Sequence, residues 1–409
     1  MKIDINRFLK NLNRINQFGS IKDSGITRLS LSDDDMKGRA ALKEIFFDLN
    51  MSIQEDNAGN IWALKEGKDS SLPCVMMGSH IDTVPGGGAY DGTLGVIAAI
   101  ECMYMMKDMG IENLHPIEVV SFSTEESSRF NISTMGSKIA AGELEPSELK
   151  NYSDKDGLSL DEVLDERDFS RLTAKILDPK KVKAFLELHI EQGPILEKRS
   201  IAIGLVDGIA APTRLIINLQ GEQAHSGSCP MEFRKDALTA AAEIILKVEE
   251  AGRRESTYRT VATTGKIGVL PGAMNVVPGT AEIYIDIRGI NSDSILRTFN
   301  SIRNETNKIC KKRKIKNKIK IISQETPVLL DQKLLSLVED NCKKLNLSYQ
   351  RMSSGAGHDT MNISKIVPSA LIFVPCINGI SHNKNENIHT ADIENGVNIL
   401  YETLISLSC

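Results

Sequence analysis

Apolar and polar positions repeat with two different periods along the chain, and the changes of period mark its elements. The compact apolar run Cys74-Val75-Met76-Met77 predicts a central strand, and Leu94 to Met109 repeats at helical spacing. Pro116 to Phe122 predicts a second central strand, and Ile366 to Pro375 a third. The N-terminal segment reads as helical, with Ser32 and Asp35 spaced as a capping box ahead of Leu42, Ile45, Phe46 and Leu49 on one helix face. Ile53 to Glu55 and Asn60 to Leu64, separated by Asp56-Asn57-Ala58-Gly59, predict a hairpin beside the strand at 74–77. Pro179 to Leu186 reads as helical or transitional, an alternating run ends at His189, and the stretch from Thr390 is helical.

One segment differs in character. Thr213 to Gln220, Val261 to Val269, Thr280 to Ile287 and Ile315 to Ile322 read as strands, and Glu232 to Gly252 and Asn291 to Arg313 as helices. Helices interleaved with strands in this way make a compact α+β unit inserted between Gly208 and Pro327. The fold class is therefore α/β, a central mixed sheet flanked by helices, with an inserted α+β lid or dimerisation domain. The expected boundaries are 1–211 with 325–409 for the discontinuous main domain and 212–324 for the lid.

Length and composition fit this division. A chain of 409 residues exceeds what one core usually organises, and 41% apolar and 25% charged residues describe an ordinary soluble protein. The net charge of -5 gives no bulk affinity for nucleic acid. Eight of the thirteen residues from Lys308 to Lys320 are Lys or Arg, but Lys316, Lys318 and Lys320 alternate with Asn317 and Ile319, as on an edge strand that lysines keep from pairing. The start, Met1 to Arg7, lacks the apolar run of a secretory signal, and no stretch is apolar for long enough to span a membrane. The expectation is a cytoplasmic protein with no nucleic-acid or membrane partner. Seven scattered cysteines, none in a Cys-x-x-Cys pair, argue against a disulfide framework and a thiolate metal site.

The chemistry gathers where predicted strands end. His80, Asp82 and Asp91 lie in Gly78-Ser79-His80-Ile81-Asp82-Thr83-Val84-Pro85-Gly86-Gly87-Gly88-Ala89-Tyr90-Asp91-Gly92, whose glycines let Asp91 fold back toward His80. Glu125 and Glu126 follow the second strand, His189 ends the alternating run, and His382 follows the third. His80, Asp91, Glu126, His189 and His382 suffice for two divalent metal ions if Asp91 bridges them. Zinc is the first expectation; manganese, cobalt and nickel accept the same donors. Asp82 would orient His80, and Glu125, beside a ligand but free of metal, would carry a proton from attacking water to leaving nitrogen. The glycine turn Gly355-Ala356-Gly357 offers backbone amides to a substrate, with His358-Asp359 either joining it or capping the next helix. Arg129 reads as a structural ion pair, and His115 and His389 as surface polar residues.

These motifs resemble the dinuclear zinc amidohydrolases and peptidases of the aminoacylase and carboxypeptidase G clan. Within it they resemble the branch of N-carbamoyl-L-amino-acid hydrolases, beta-ureidopropionases and allantoate amidohydrolases. The matching stretches are Gly78 to Val84, Gly87 to Gly92, Thr124 to Phe130, Leu188 to Pro194, Ala224 to Gly227, Asn275 to Gly279, Asp286 to Arg288, Ser354 to Asp359 and Gly379 to His382, in family order. The resemblance implies His80 and His189 on one metal, Glu126 and His382 on the other, Asp91 between them and Glu125 as general base. It also implies His225 as oxyanion donor, acting within one subunit or across a homodimer formed through the lid. Arg288 and Asn275 would hold the substrate's carboxylate, and Gln192 its carbamoyl or amide end. The implied reaction is hydrolysis of the linear carbamoyl C–N bond of an N-carbamoyl amino acid or a ureido acid such as allantoate, with N-acyl-amino-acid deacylation or dipeptide cleavage as the alternative. The chain departs from the family at Ser127, Ala89 and Ser226-Gly227-Ser228-Cys229-Pro230, near the substrate end of the site and away from the metal ligands. Cys229 beside His225 suggests a thiol protease, but metal-activated water makes a thiol nucleophile unnecessary.

Overall fold

The structure, a computed structural model, describes residues 3–409. Two compact units make up the chain, one running up to Asp207 and resuming at Leu330–Cys409, the other Gly208–Leu329.

The first unit is organised by a mixed sheet. Four adjacent strands, Ser369–Val374, Val182–Ile190, Cys74–His80 and Ile117–Phe122, run parallel. Ile203–Ile209 joins antiparallel on the Ser369–Val374 side, and the hairpin Ser52–Glu55 with Ile61–Lys65 on the Ile117–Phe122 side. The hairpin thus lies beside Ile117–Phe122, which separates it from Cys74–His80, its expected neighbour. The expected helical character of Pro179 to Leu186 also fails, because Val182–Ile190 is a central strand buried at nearly every position. Its first half, Val182 to Leu186, carries no regular polar alternation to betray it. Helices Thr93–Met109 and Thr390–Ser408 pack together and onto the sheet. On a second cluster, Trp62 meets Phe122 edge to face at 5.7 Å and Phe122 meets Phe185 at 5.9 Å. Ser32 caps the helix Asp33–Asp48 by accepting the Asp35 N–H, while the Asp35 carboxylate accepts from Leu31 N–H instead of closing the expected box on Ser32.

The parallel registers determine where the chemistry lies. His80 pairs with Phe122, Met77 with Leu186, and Phe373 with His189, so the four strands end nearly level with one another. Their following loops carry Asp82 and Asp91, Glu125 and Glu126, and His382.

The second unit is an antiparallel sheet in the order Val261–Leu270, Thr280–Gly289, Ala211–Gln220, Lys316–Gln324. Alternate residues Leu215, Ile217, Leu219, Ile283, Ile285 and Ile287 face a core shared with helices Ala237–Arg254 and Ser292–Arg313. The first of these helices begins at Ala237, five residues later than expected, because Pro230 to Arg234 turns through a short 3-10 segment and Asp236 supplies the cap. Among the described residues no helix is long and apolar enough to cross a membrane.

Candidate metal centre and its surroundings

His80 and His189 are both buried, with rings stacked at 6.0 Å between centroids. Each Nδ1 lies 3.0 Å from a backbone carbonyl, of Asp82 and of Ile190 respectively, which fixes the ring and turns Nε2 toward Asp91. Asp91 Oδ1 stands 3.6 Å from His80 Nε2 and 3.1 Å from His189 Nε2. Its other oxygen, Oδ2, stands 3.3 Å from His382 Nε2, which is also 3.3 Å from Glu126 Oε1. Two potential ligand sets result, His80–Asp91–His189 and Asp91–Glu126–His382, with donor atoms within 4.8 Å of one another in each and Asp91 common to both. Nitrogen and oxygen ligands on one tetrahedral zinc stand about 3.3 Å apart, given bonds of about 2.0–2.1 Å. The four separations above bracket that value, so the donors fit divalent cations in type and spacing.

The electrostatics have the same origin. Burial alone would raise the Asp91 carboxyl, but His189, His382 and His80 around it hold it well below the usual carboxylate range. Burial opposes charging of His80, yet Glu125, Asp82 and Asp91 together push it well above its ordinary value. His382 is raised to about 10, first by its hydrogen bonds to Asp91 and Glu126.

Glu125 belongs to neither ligand set. It is buried, its Oε2 is 3.8 Å from His80 Nε2, and desolvation, then Glu126, Asp359 and Asp82, raise its carboxyl well above normal against the pull of His80. Asp82 meets His80 Nδ1 through its backbone carbonyl at 3.0 Å and through its carboxylate Oδ1 at 3.6 Å, and its carboxylate oxygens also accept the N–H groups of Glu125 at 3.3 Å and Glu126 at 3.0 Å. Asp82 thereby sets the backbone from which both glutamates depart. Thr124, Gln192 and His382 all adopt positive φ, between 54° and 56°. Left-handed backbone at three non-glycine residues costs about 1–3 kcal/mol each and gathers at functional sites.

The remaining expected residues divide into groups. Gln192 Nε2 donates to Asp91 Oδ2 at 2.6 Å, while its Oε1 is buried without a partner. In the second unit, His225 pairs with Val276 in a short ladder, and Ser226 N–H donates to Asn275 O at 3.0 Å, so His225 and Asn275 are neighbours. His225 Nδ1 accepts the N–H groups of Gly227 at 3.1 Å and Ser228 at 3.2 Å, which leaves the proton on Nε2. Arg288 lies toward the far end of Thr280–Gly289 and holds Asp286 through Nε at 3.2 Å. Ala356 N–H is engaged by Ser354 Oγ at 3.1 Å, whereas a Cβ on Gly355 would meet nothing within 4 Å. His358 is buried edge-on against His189 at 4.6 Å and within 3.0 Å of Ser354 Oγ; burial holds its pKa well below normal.

Arg129 donates to Ser30 O at 2.8 Å and pairs with Asp154 at 3.3 Å. His115 is half-buried, with its Nδ1 2.8 Å from Pro73 O and Lys183 Nζ 2.9 Å from its Nε2. Residues with no motif also matter here. Glu187 accepts Ser79 Oγ at 2.7 Å and Thr360 N–H at 2.9 Å, and Glu386 holds the Asp91 loop. Only their burial, invisible to local pattern, could have drawn attention to them.

Known proteins resemble this chain along nearly its whole length. The family described as Peptidase family M20/M25/M40 matches residues 76–406. An N-carbamoyl-L-amino-acid amidohydrolase of Pseudomonas sp. (strain NS671) is 35% identical over 399 residues, 96% of each chain. An allantoate amidohydrolase of Escherichia coli (strain K12) is 33% identical over 395 residues, again 96% of each. The crystal structure of an amidase of the hydantoinase/carbamoylase family from Burkholderia multivorans superposes with a TM-score of 0.95 at 31% identity, covering 100% of this chain and 98% of the other.

Proposed function

Because the chain belongs to peptidase family M20/M25/M40, we propose that it is a metal-dependent amidohydrolase that cleaves the carbamoyl C–N bond of an N-carbamoyl amino acid or a ureido acid such as allantoate. The observation that carries this reading is the pair of ligand sets sharing Asp91, with unliganded Glu125 beside Glu126. His80, Asp91 and His189 would hold one divalent cation and Asp91, Glu126 and His382 the other, with zinc the first candidate. Such cations supply Lewis-acid polarisation of a carbonyl and lower the pKa of water.

The chain's own groups supply the rest. Glu125 takes the proton of the attacking water and returns it to the leaving nitrogen. The Nε2–H of His225 donates to the oxyanion, Arg288 and Asn275 hold the substrate carboxylate, and the turn at Gly355 and Ala356 borders it. Gln192 is anchored by its nitrogen, so its partnerless Oε1 is an acceptor waiting for an N–H donor. A carbamoyl –NH2 supplies that donor; an acetyl methyl leaves the oxygen unsatisfied, a cost of about 1–3 kcal/mol. This supports the ureido reading over deacylation. For a carbamoyl substrate the products are the amino acid, ammonia and carbon dioxide.

The test is ammonia release by zinc-reconstituted protein from N-carbamoyl-L-amino acids, β-ureidopropionate and allantoate, beside amine release from N-acetyl amino acids and dipeptides. Ammonia from a ureido acid, lost on chelation, is the expected result, with kcat/KM for a carbamoyl amino acid about 10-fold or more above its acetyl analogue. Amine release from acyl or peptide substrates alone would refute the ureido assignment.

We also infer a homodimer. His225 and Asn275 leave the lid sheet beyond Gly279, whereas Arg288 lies eight residues further along the strand from Thr280, about 26 Å at about 3.3 Å per residue. A small substrate touching all three is served more readily by two copies of the lid than by one. Sedimentation velocity should show twice the 45.0 kDa chain mass; a fully active monomer would sink the idea.

A further inference from the structure

Glu386 lies four residues beyond His382 and is buried, while Asn383, Lys384, Asn385 and Asn387 around it are exposed. Its Oε1 accepts two consecutive backbone N–H groups, of Tyr90 at 2.8 Å and Asp91 at 3.0 Å. Its Oε2 accepts from Ser381 Oγ at 3.0 Å, and the same hydroxyl stands 2.8 Å from Asp91 Oδ2. A hydroxyl has one proton, so Ser381 shares it between the two carboxylates and links them. The glycine loop closes tightly around Glu386: a Cβ on Gly88 would stand 2.2 Å from its Cδ.

These contacts bind two stretches nearly 300 residues apart in sequence, the Asp91 loop and the segment that presents His382. The two proposed ligand sets depend on them unequally. His80 and His189 end neighbouring parallel strands, where backbone ladders hold them. His382 stands on no strand, is exposed and has φ of 54°. Its alignment with Asp91 runs through Ser381 and Glu386. Two adjacent amides on one carboxylate oxygen also fix the peptide planes from which the Asp91 side chain departs.

We propose that Glu386 is a positioning residue for the Asp91–Glu126–His382 set, a role that rests on the metal-site reading above. It sets the Asp91 backbone and, through Ser381, the position of His382 against Asp91 Oδ2. Residues that support metal ligands in this way typically contribute about 10–100-fold to metal affinity.

The experiment is zinc titration of metal-free protein against a chromophoric chelator, with bound zinc counted by elemental analysis. Wild type should take up two zinc ions per chain. Glu386→Ala should weaken the second by about 10–100-fold and the first clearly less, because the first shares only Asp91 with the link while His80 and His189 stay on their strands. Glu386→Gln should recover most of the loss, because its carboxamide oxygen can accept the same two amides. Ser381→Ala should weaken the second ion as well, and the double variant should be no worse than Glu386→Ala, since both act through one link. If Glu386→Ala fails to fold, the Ser381→Ala and Glu386→Gln comparison carries the test. Two wild-type affinities in Glu386→Ala, or equal weakening of both, would overturn the proposal. A wild-type chain that takes up no zinc would bring down the metal-site reading and this proposal with it, which separates the two failures.

Discussion

Glu125→Gln is expected to lower kcat by about 10²–10⁴-fold while leaving zinc uptake at the wild-type level. The substitution keeps the shape of the side chain and removes only its ability to exchange a proton. Glu125 lies outside both ligand sets, so metal affinity has no reason to change. Its carboxyl is raised well above normal, chiefly by burial and then by Glu126 and Asp359, against the pull of His80, which favours holding the proton that the leaving nitrogen needs. Steady-state kinetics with parallel zinc analysis checks both halves. A Glu125→Gln protein as fast as wild type would end the proton-shuttle mechanism, and one that lost its metal would make Glu125 a ligand instead.

Asp91→Asn is expected to be nearly as damaging to turnover, and by a different route. Asp91 directs one oxygen to His80 and His189 and the other to His382, so one substitution touches both ligand sets. Zinc affinity should fall by at least about 10-fold at both positions, and kcat by about 10³-fold. The pH dependence follows from the same contacts. Nearby carboxylates hold the pKa values of His80, His189 and His382 above normal, and a cation must displace those protons. Apparent zinc affinity of the wild type should therefore climb with pH across the neutral range and continue toward about pH 10, where His382 loses its proton. Without the Asp91 charge the histidines deprotonate at lower pH, so the Asp91→Asn curve should lie lower and be flatter near neutrality. Calorimetry in buffers of different ionisation enthalpy counts the protons released; a pH-independent wild-type affinity would contradict the argument.

Much of this site was legible because metal donors must be of a few residue types and must sit where strands end. His80, the Glu125–Glu126 pair and His189 each close a strand or follow it directly, and the apolar run before each one signals its place. The helices and strands of Gly208–Leu329 were readable for a similar reason, since one face of each is buried and the other wet. Only the start of Val182–Ile190, up to Leu186, was misread, because strand residues covered on both faces have no such contrast. Strand order was out of reach too: nothing local to Ile53 says that its hairpin pairs with Ile117–Phe122. Glu386 and Glu187 were missed because each acts only through partners distant in sequence.

The position of Ser369–Val374 has a consequence for how this molecule comes into being. The strand inserts between Val182–Ile190 and Ile203–Ile209, both made long before it. On a ribosome, the earlier pair waits with unsatisfied edges while the whole of Gly208–Leu329 and then Gln332–Lys344 emerge. Exposed strand edges are templates for wrong pairing, so the nascent chain passes through an aggregation-prone interval that ends only when Ser369–Val374 appears. His382 follows that strand by eight residues, which makes completion of the sheet and completion of the ligand set nearly one event in biosynthesis.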